Sequence, residues 1–226
     1  MRWIRTADVA CVILLAGMFL WAAAGWSDAP DRFPVHWGLS GEPDRFGGRL
    51  EGMLGPPVLG LALYLALLFL PRIDPGRANY ANFAAAYATL RVALVAMAAG
   101  IYGVMQHAAR GGAPGGGAAA LPFVLGGVFL VIGNVLGKIR PNWFIGIRTP
   151  WTLSSAESWT RTHRAGGWFF VVLGLVMMSA GVVTGRAAFT AAMAFLILGV
   201  VALTVYSYIV WRHDPDKVPP AGRTAA

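Results

Sequence analysis

Residues 133–168 hold five Lys or Arg residues, four tryptophans and a single acid, Glu157, between two apolar runs long enough to cross a bilayer. A connector needs only a few polar residues, and every charge near lipid costs energy. The segment therefore has the composition of a docking surface. Arg148 stands in Gly-Ile-Arg-Thr-Pro-Trp, where Pro150 fixes its own φ and biases Thr149 towards an extended backbone. A guanidinium held there beside Trp151, near the carbonyl end of the preceding helix, would make several directed hydrogen bonds that lysine cannot copy. Ser154-Ser155-Ala156-Glu157 reads as a capping box, with Ser154 bonding the amide of Glu157. A short helix over 155–164 is expected next. On it Glu157, Arg161 and Arg164 share one face, while Trp159 and His163 share another. Two readings stay open. In one the helix is a membrane-surface anchor with Trp159 in lipid. In the other Arg148, Arg161 and His163 present a site to a cytoplasmic partner or to the bundle interior.

A second polar stretch, 27–52, contains Phe33-Pro-Val-His-Trp-Gly and Gly41-Glu-Pro-Asp-Arg-Phe-Gly. His36, Glu42 and Asp44 are the nearest approach to a metal site. Their spacing fits no closed zinc pattern, and no cysteine lies beside them, so no metal or other cofactor is expected. Pro34, Gly38, Gly41 and Pro43 suit turns. His36, Trp37, Asp44 and Arg45 then form a polar-aromatic face for an external partner. The chain has no His-Glu-x-x-His, no Gly-x-Ser-x-Gly and no carboxylate pair within one apolar run, so no enzymatic activity is expected.

The elements that carry these segments can be read from composition. Of 226 residues, 57% are apolar and 12% charged, against about 25% charged in soluble domains. Six runs approach the length that crosses a bilayer, near 7–26, 53–70, 82–107, 119–137, 166–184 and 188–211. None alternates strictly, so helices rather than a barrel are expected. The fold expected is an all-α integral membrane bundle of six helices, a single domain over 1–226 with a disordered tail at 213–226. The first run comes after Arg2 and Arg5 and ends in Ala22-Ala23-Ala24-Gly25, features shared with cleavable signal peptides. Its apolar stretch is longer than a signal core, which favours an uncleaved anchor. Cys11 stands alone, which excludes an intrachain disulfide.

The net charge of +8 is explained by its distribution. With a cytoplasmic N-terminus, the inner segments hold twelve Lys or Arg residues and the outer loops five. That asymmetry puts both termini and loop 138–165 in the cytoplasm. The basic surface then meets anionic lipid head groups, and no nucleic-acid partner is expected. Gly133 and Gly137 form a Gly-x-x-x-Gly pair suited to close helix packing. Arg91 is the only basic residue inside a long run, and either snorkels to the inner head groups or serves a function. Asn134 is expected to bond a neighbouring helix, with Arg91 a candidate partner. The runs contain only Asp8 among the acids, at an edge, which argues against an ion-coupled carrier.

At its two motifs the chain resembles the SdpI-type bacterial membrane proteins. The outer motif is Phe33-Pro-Val-His-Trp and then Gly41-Glu-Pro-Asp-Arg-Phe-Gly. The inner one is Gly133-Asn134, Lys138, Pro141-Asn142, Gly146-Ile-Arg-Thr-Pro-Trp-Thr-Leu153, then Glu157, Trp159 and Thr162-His163-Arg164. The resemblance implies a multi-pass plasma-membrane protein that gives immunity to a secreted peptide toxin. It also implies signalling through a cytoplasmic repressor held at the membrane. It points to Asn134, Lys138, Asn142, Arg148, Thr149, Pro150, Trp151, Glu157, Trp159 and His163 as the responding surface. Arg49 stands where the outer motif has Lys, a change that keeps the charge. Two other classes remain. One is a transporter of small molecules or lipids. The other is a membrane enzyme acting on lipid or envelope substrates, with His36 or His163 as acid and base.

Overall fold

The computed structural model describes residues 2–112, 116–183 and 185–218. Among them six helices are long and apolar enough to cross a membrane. These are α1 (Arg2–Ala24), α2 (Arg49–Ile73), α3 (Ala84–Ala109), α4 (Gly116–Leu136), α6 (Ala156–Val183) and α7 (Arg186–His213); α5 (Pro150–Leu153) is a single turn. The expected all-α bundle is present. Two elements lie outside it, a 3-10 segment Arg77–Phe83 that lengthens the third span and a hairpin in the first loop.

In the hairpin, β1 (Phe33–Trp37) runs antiparallel to β2 (Pro43–Gly47), where turns alone were expected. Phe33 is fully buried and lies flat on Gly52 of α2, where a Cβ would strike its ring. The hairpin is thereby pinned over the helix ends. Beneath it a cavity of about 210 Å³ is lined by Val35 and Trp37 above and by Leu121, Leu125, Ala180 and Phe189 below. Successive helices alternate in direction, so one end of the bundle carries the hairpin and the other carries loop 138–155.

α3 packs against α1, α2 and α4; α4 packs on α6, and α6 on α7. The α4–α6 contact explains the glycines. A Cβ on Gly133 would lie 2.6 Å from the Val171 amide nitrogen and 2.7 Å from the Gly167 carbonyl oxygen. One on Gly126 would lie 2.7 Å from the Gly174 carbonyl, and one on Gly181 2.8 Å from that of Ala119. Antiparallel helices thus meet backbone to backbone at Ala119/Gly181, Gly126/Gly174 and Gly133/Gly167, a seven-residue spacing. A Cβ on Gly137, the second member of the expected pair, would lie 3.7 Å from Arg164 Cα, an ordinary contact. The seam is a heptad of small residues rather than one Gly-x-x-x-Gly step. Outward-facing Ile13, Leu59, Phe69, Leu175, Ile197 and Leu198 are exposed, which suits lipid and no aqueous surface.

Arg91 neither snorkels nor reaches Asn134. It is 5% exposed, and its guanidinium bonds Asp8 of α1 at 2.7 Å. The sequence placed Asp8 at the edge of its run, and the packing of α1 against α3 brings the two charges together. Asn134 is exposed, and its side chain has no hydrogen bond among the described residues. Arg91 is buried and Asp8 partly exposed, so removing Asp8 strands the guanidinium at a cost of up to ~3–5 kcal/mol, while replacing both is far milder. Asp8→Ala is therefore expected to lower the melting temperature sharply in detergent. The Asp8→Ala/Arg91→Met double variant should recover most of that loss.

Candidate functional site

The chain from 138 to 155 makes no regular element beyond α5, so its backbone must be satisfied by side chains. Asn142 supplies the first set. It is buried; its Oδ1 accepts from the amides of Phe144 and Ile145, and its Nδ2 donates to the carbonyls of Arg140 and Ile145. Two Asp-Pro steps grip the loop from outside. Asp74 ends α2, accepts from the Gly76 amide and the Tyr80 hydroxyl, and reaches across to the Trp143 amide. Asp214 ends α7, accepts from the Asp216 amide, and takes the Ser155 hydroxyl at 2.5 Å. Asn79 adds a bond to the Pro141 carbonyl.

At the centre stands His163. It is 1% exposed and stacked on Trp159, ring centroids 4.0 Å apart. Its Nε2 lies 3.0 Å from the Ile147 amide, which can only donate. Nε2 must therefore accept, and Nδ1 carries the proton towards the Trp159 carbonyl, 2.8 Å away. Both ring nitrogens are committed, so His163 is a neutral clamp and cannot serve as an acid or base in this state. The clamp requires Gly146. Its φ of +117° is one that side chains disfavour, and a Cβ there would overlap His163 Nε2. Trp159 is 2% exposed, not dipped in lipid, and its indole donates to the Ile139 carbonyl at 2.9 Å.

The expected separate helix over 155–164 is the first part of α6, which continues without a break. The N-cap is Ser155, whose hydroxyl accepts from Ser158, not Ser154 with Glu157. Ser154 instead donates to the Pro150 carbonyl, and Glu157 pairs with Arg161 at 2.5 Å on the surface. A capping box does exist one turn earlier. Thr149 and Thr152 cap α5 reciprocally, with Pro150 at its first position. Thr149 also meets Ser207 of α7 at 3.0 Å, while Ser158 donates to the Ser207 carbonyl. Trp151 packs edge-on against Tyr208. Arg148 donates to the Trp143 carbonyl at 2.7 Å, not to the end of α4, and does not stack on Trp151. Exposed Lys138, Arg140, Trp143, Phe144 and Arg148 complete a basic-aromatic rim around the buried clamp. In the tail assigned to 213–226 the Val218 amide bonds the Ser154 carbonyl; residues 219–226 lie outside the described residues.

At the hairpin end His36 Nδ1 meets Asp44 Oδ1 at 2.5 Å, both exposed. Arg45 pairs with Glu51 at 2.8 Å, and Arg49 with Asp31 at 2.9 Å. Trp37 is half-buried over the cavity. The four residues assigned to a contact face thus share the hairpin. Two of them bond each other, one pairs with α2, and one roofs the cavity.

Sequence reasoning missed Asp74, Thr152, Ser155, Ser158, Ser207 and Asp214. The available signal was Asp-Pro directly after two helices, Asp74-Pro75 and Asp214-Pro215, where an aspartate can hold the turn and still offer an oxygen. The Ser155 hydroxyl, with the Asp216 amide, holds the Asp214 carboxyl below the usual carboxylate range. A carboxylate lowered on folding contributes stability above its unfolded value, near pH ~4, and that stability is lost as pH falls through the folded value. Ser155→Ala should therefore flatten the acid limb of a melting-temperature-against-pH curve. Equal slopes in the two proteins would remove Asp214 from the account of the loop.

With this geometry in view, residues 138–210 match the SdpI/YfhL protein family, and residues 13–61 match a domain of unknown function, DUF1648. The first match covers the loop, its clamp and most of α7. The second match covers the second half of α1, the hairpin and the first half of α2. The chain is 31% identical over 87 residues to the immunity protein SdpI of Bacillus subtilis strain 168, which is 38% of this chain and 42% of that one. It is 37% identical over 57 residues to an uncharacterized protein of Archaeoglobus fulgidus, 25% of this chain and 31% of that one. Each match spans less than half of the relative's length. No solved structure matches the chain. Six apolar helices make this a multi-pass membrane protein, and its 138–210 segment is similar to the SdpI/YfhL family.

Proposed function

We propose that the chain resides in a bacterial plasma membrane and gives immunity to, or senses, a secreted peptide toxin or other envelope-active agent. In this reading the hairpin end faces outward and meets the agent. The basic-aromatic rim of loop 138–155 faces the cytoplasm and carries the response. One observation carries the proposal: a single helix, α6, joins the two ends. Ala180 of α6 floors the cavity under Trp37, and His163 of the same helix clamps the loop. Between them runs the glycine seam with α4, so pressure on the hairpin has a stiff path to the clamp. The similarity to a protein named for immunity supports the same reading.

The test compares a strain deleted for this chain with its parent in medium conditioned by the parent. The deletion strain is expected to lose viability and to regain it when the chain is restored. Equal survival of the two strains across growth phases would overturn the immunity reading.

A further inference from the structure

A cavity of about 820 Å³ lies between α1 and α3 at the hairpin end. That is at the upper end of ordinary small-molecule sites. Its lower walls are apolar: Ile13, Leu14, Met18 and Ala99. Its upper rim is polar. Tyr102, Gln106, His107 and Arg110 all line it, one helical turn after another along α3. Trp21 and Ile13 at its edge are exposed on the face that lipid would cover, so the cavity is open on that side.

Two polar groups there have unused capacity. The Tyr102 hydroxyl is buried without a hydrogen-bond partner among the described residues. Arg110 bonds the Gln106 side chain and carbonyl, yet pairs with no carboxylate among the described residues. Arg45 and Arg49 at this end are neutralised by acids, and Arg32 lies over the Phe46 ring, whereas Arg110 stands over an apolar groove. An unpaired guanidinium above an apolar groove at interface depth is complementary to an anionic head group on an acyl chain.

We propose that this groove is a binding site for one phospholipid with an anionic head group, drawn from the leaflet at the hairpin end. An acyl chain fills the space between α1 and α3, and the phosphate meets Arg110 and His107, with the Tyr102 hydroxyl available below. The site is separate from the clamp and does not depend on the immunity reading.

Two glycines allow a clean test. Gly17 and Gly103 both line the cavity, and a Cβ on either would meet nothing within 4 Å. Gly103→Leu therefore fills the groove without disturbing a helix contact, and Gly17→Leu repeats the test from the other wall. Native mass spectrometry of the full chain, released from detergent with phosphatidylglycerol or phosphatidylcholine, reads occupancy directly. The intact protein is expected to retain one phosphatidylglycerol in preference to phosphatidylcholine. Arg110→Gln should weaken that retention about tenfold, as expected for loss of a charge-assisted contact. Both glycine variants should abolish it while eluting and melting like the parent. Retention of phosphatidylglycerol by both leucine variants would overturn the site. Equal retention of the two lipids by the intact protein would overturn the anionic head group.

Discussion

Gly133→Ala is expected to lower the melting temperature of the detergent-solubilised protein by several degrees, whereas Gly137→Ala should leave it nearly unchanged. The two glycines are four residues apart and equivalent in a Gly-x-x-x-Gly reading. They differ in what a methyl group would meet. At Gly133 it meets the Val171 amide and the Gly167 carbonyl at 2.6 and 2.7 Å, both backbone atoms that cannot rotate away. At Gly137 the first neighbour is 3.7 Å off. Overpacking of a tight contact costs ~1–3 kcal/mol, and in a protein of this size each kcal/mol shifts melting by about 2–4 °C. α4 and α6 would have to separate, and the strut that joins the hairpin cavity to His163 would separate with them. Similar melting of the two variants would mean that the seven-residue register is not what holds this seam.

Gly146→Ala is the second large effect. It adds a φ penalty of ~1–2 kcal/mol and drives a methyl group into the His163 ring. The Ile147 amide then loses its acceptor, a buried loss of ~1–3 kcal/mol. Loop 138–155 should detach from α6 while the six helices persist. Hydrogen exchange is expected to rise at Ile147 and at the Phe144 and Ile145 amides, with the cores of α1 and α3 unchanged. The two causes separate in a double-variant cycle. In a His163→Ala background the collision is absent and only the φ penalty remains. The effect of Gly146→Ala there should fall by half or more. Strict additivity would show that Gly146 acts through backbone conformation alone.

The six helices were legible because a bilayer demands long apolar runs and tolerates little else. Their lengths near the ends were not. Residues 155–164 read as a separate helix because their polarity contrasts with the apolar run from 166 onward, yet nothing between Ala156 and Val183 interrupts helical hydrogen bonding. The sequence also located the chemistry-bearing loop and put Asn142, Arg148, Thr149, Trp159 and His163 in it. It marked them as partner-binding or signalling residues, and left open whether the site faces a partner or the bundle interior. Asn142, Thr149, Trp159 and His163 are buried and hold the loop's own backbone. A polar residue that satisfies an irregular loop and one that meets a partner have the same composition. Only burial distinguishes them. Arg91 and Asp8 illustrate the other gap, since an ion pair across 83 positions depends on the packing of α1 on α3, which no local pattern encodes.

Everything proposed about function requires the hairpin to meet an external agent while loop 138–155 stays inside. One measurement joins both halves, the rate at which an impermeant maleimide modifies a single introduced cysteine in intact cells. The natural Cys11 is buried and gives little background. Ser40, at the hairpin tip, and Ala156, at the start of α6, are both exposed. Ser40→Cys is expected to react, and to react more slowly in conditioned medium that kills the deletion strain. Ala156→Cys is expected to stay unmodified in either medium. Modification at position 156 from outside, or a rate at position 40 that the lethal medium leaves unchanged, would contradict the account.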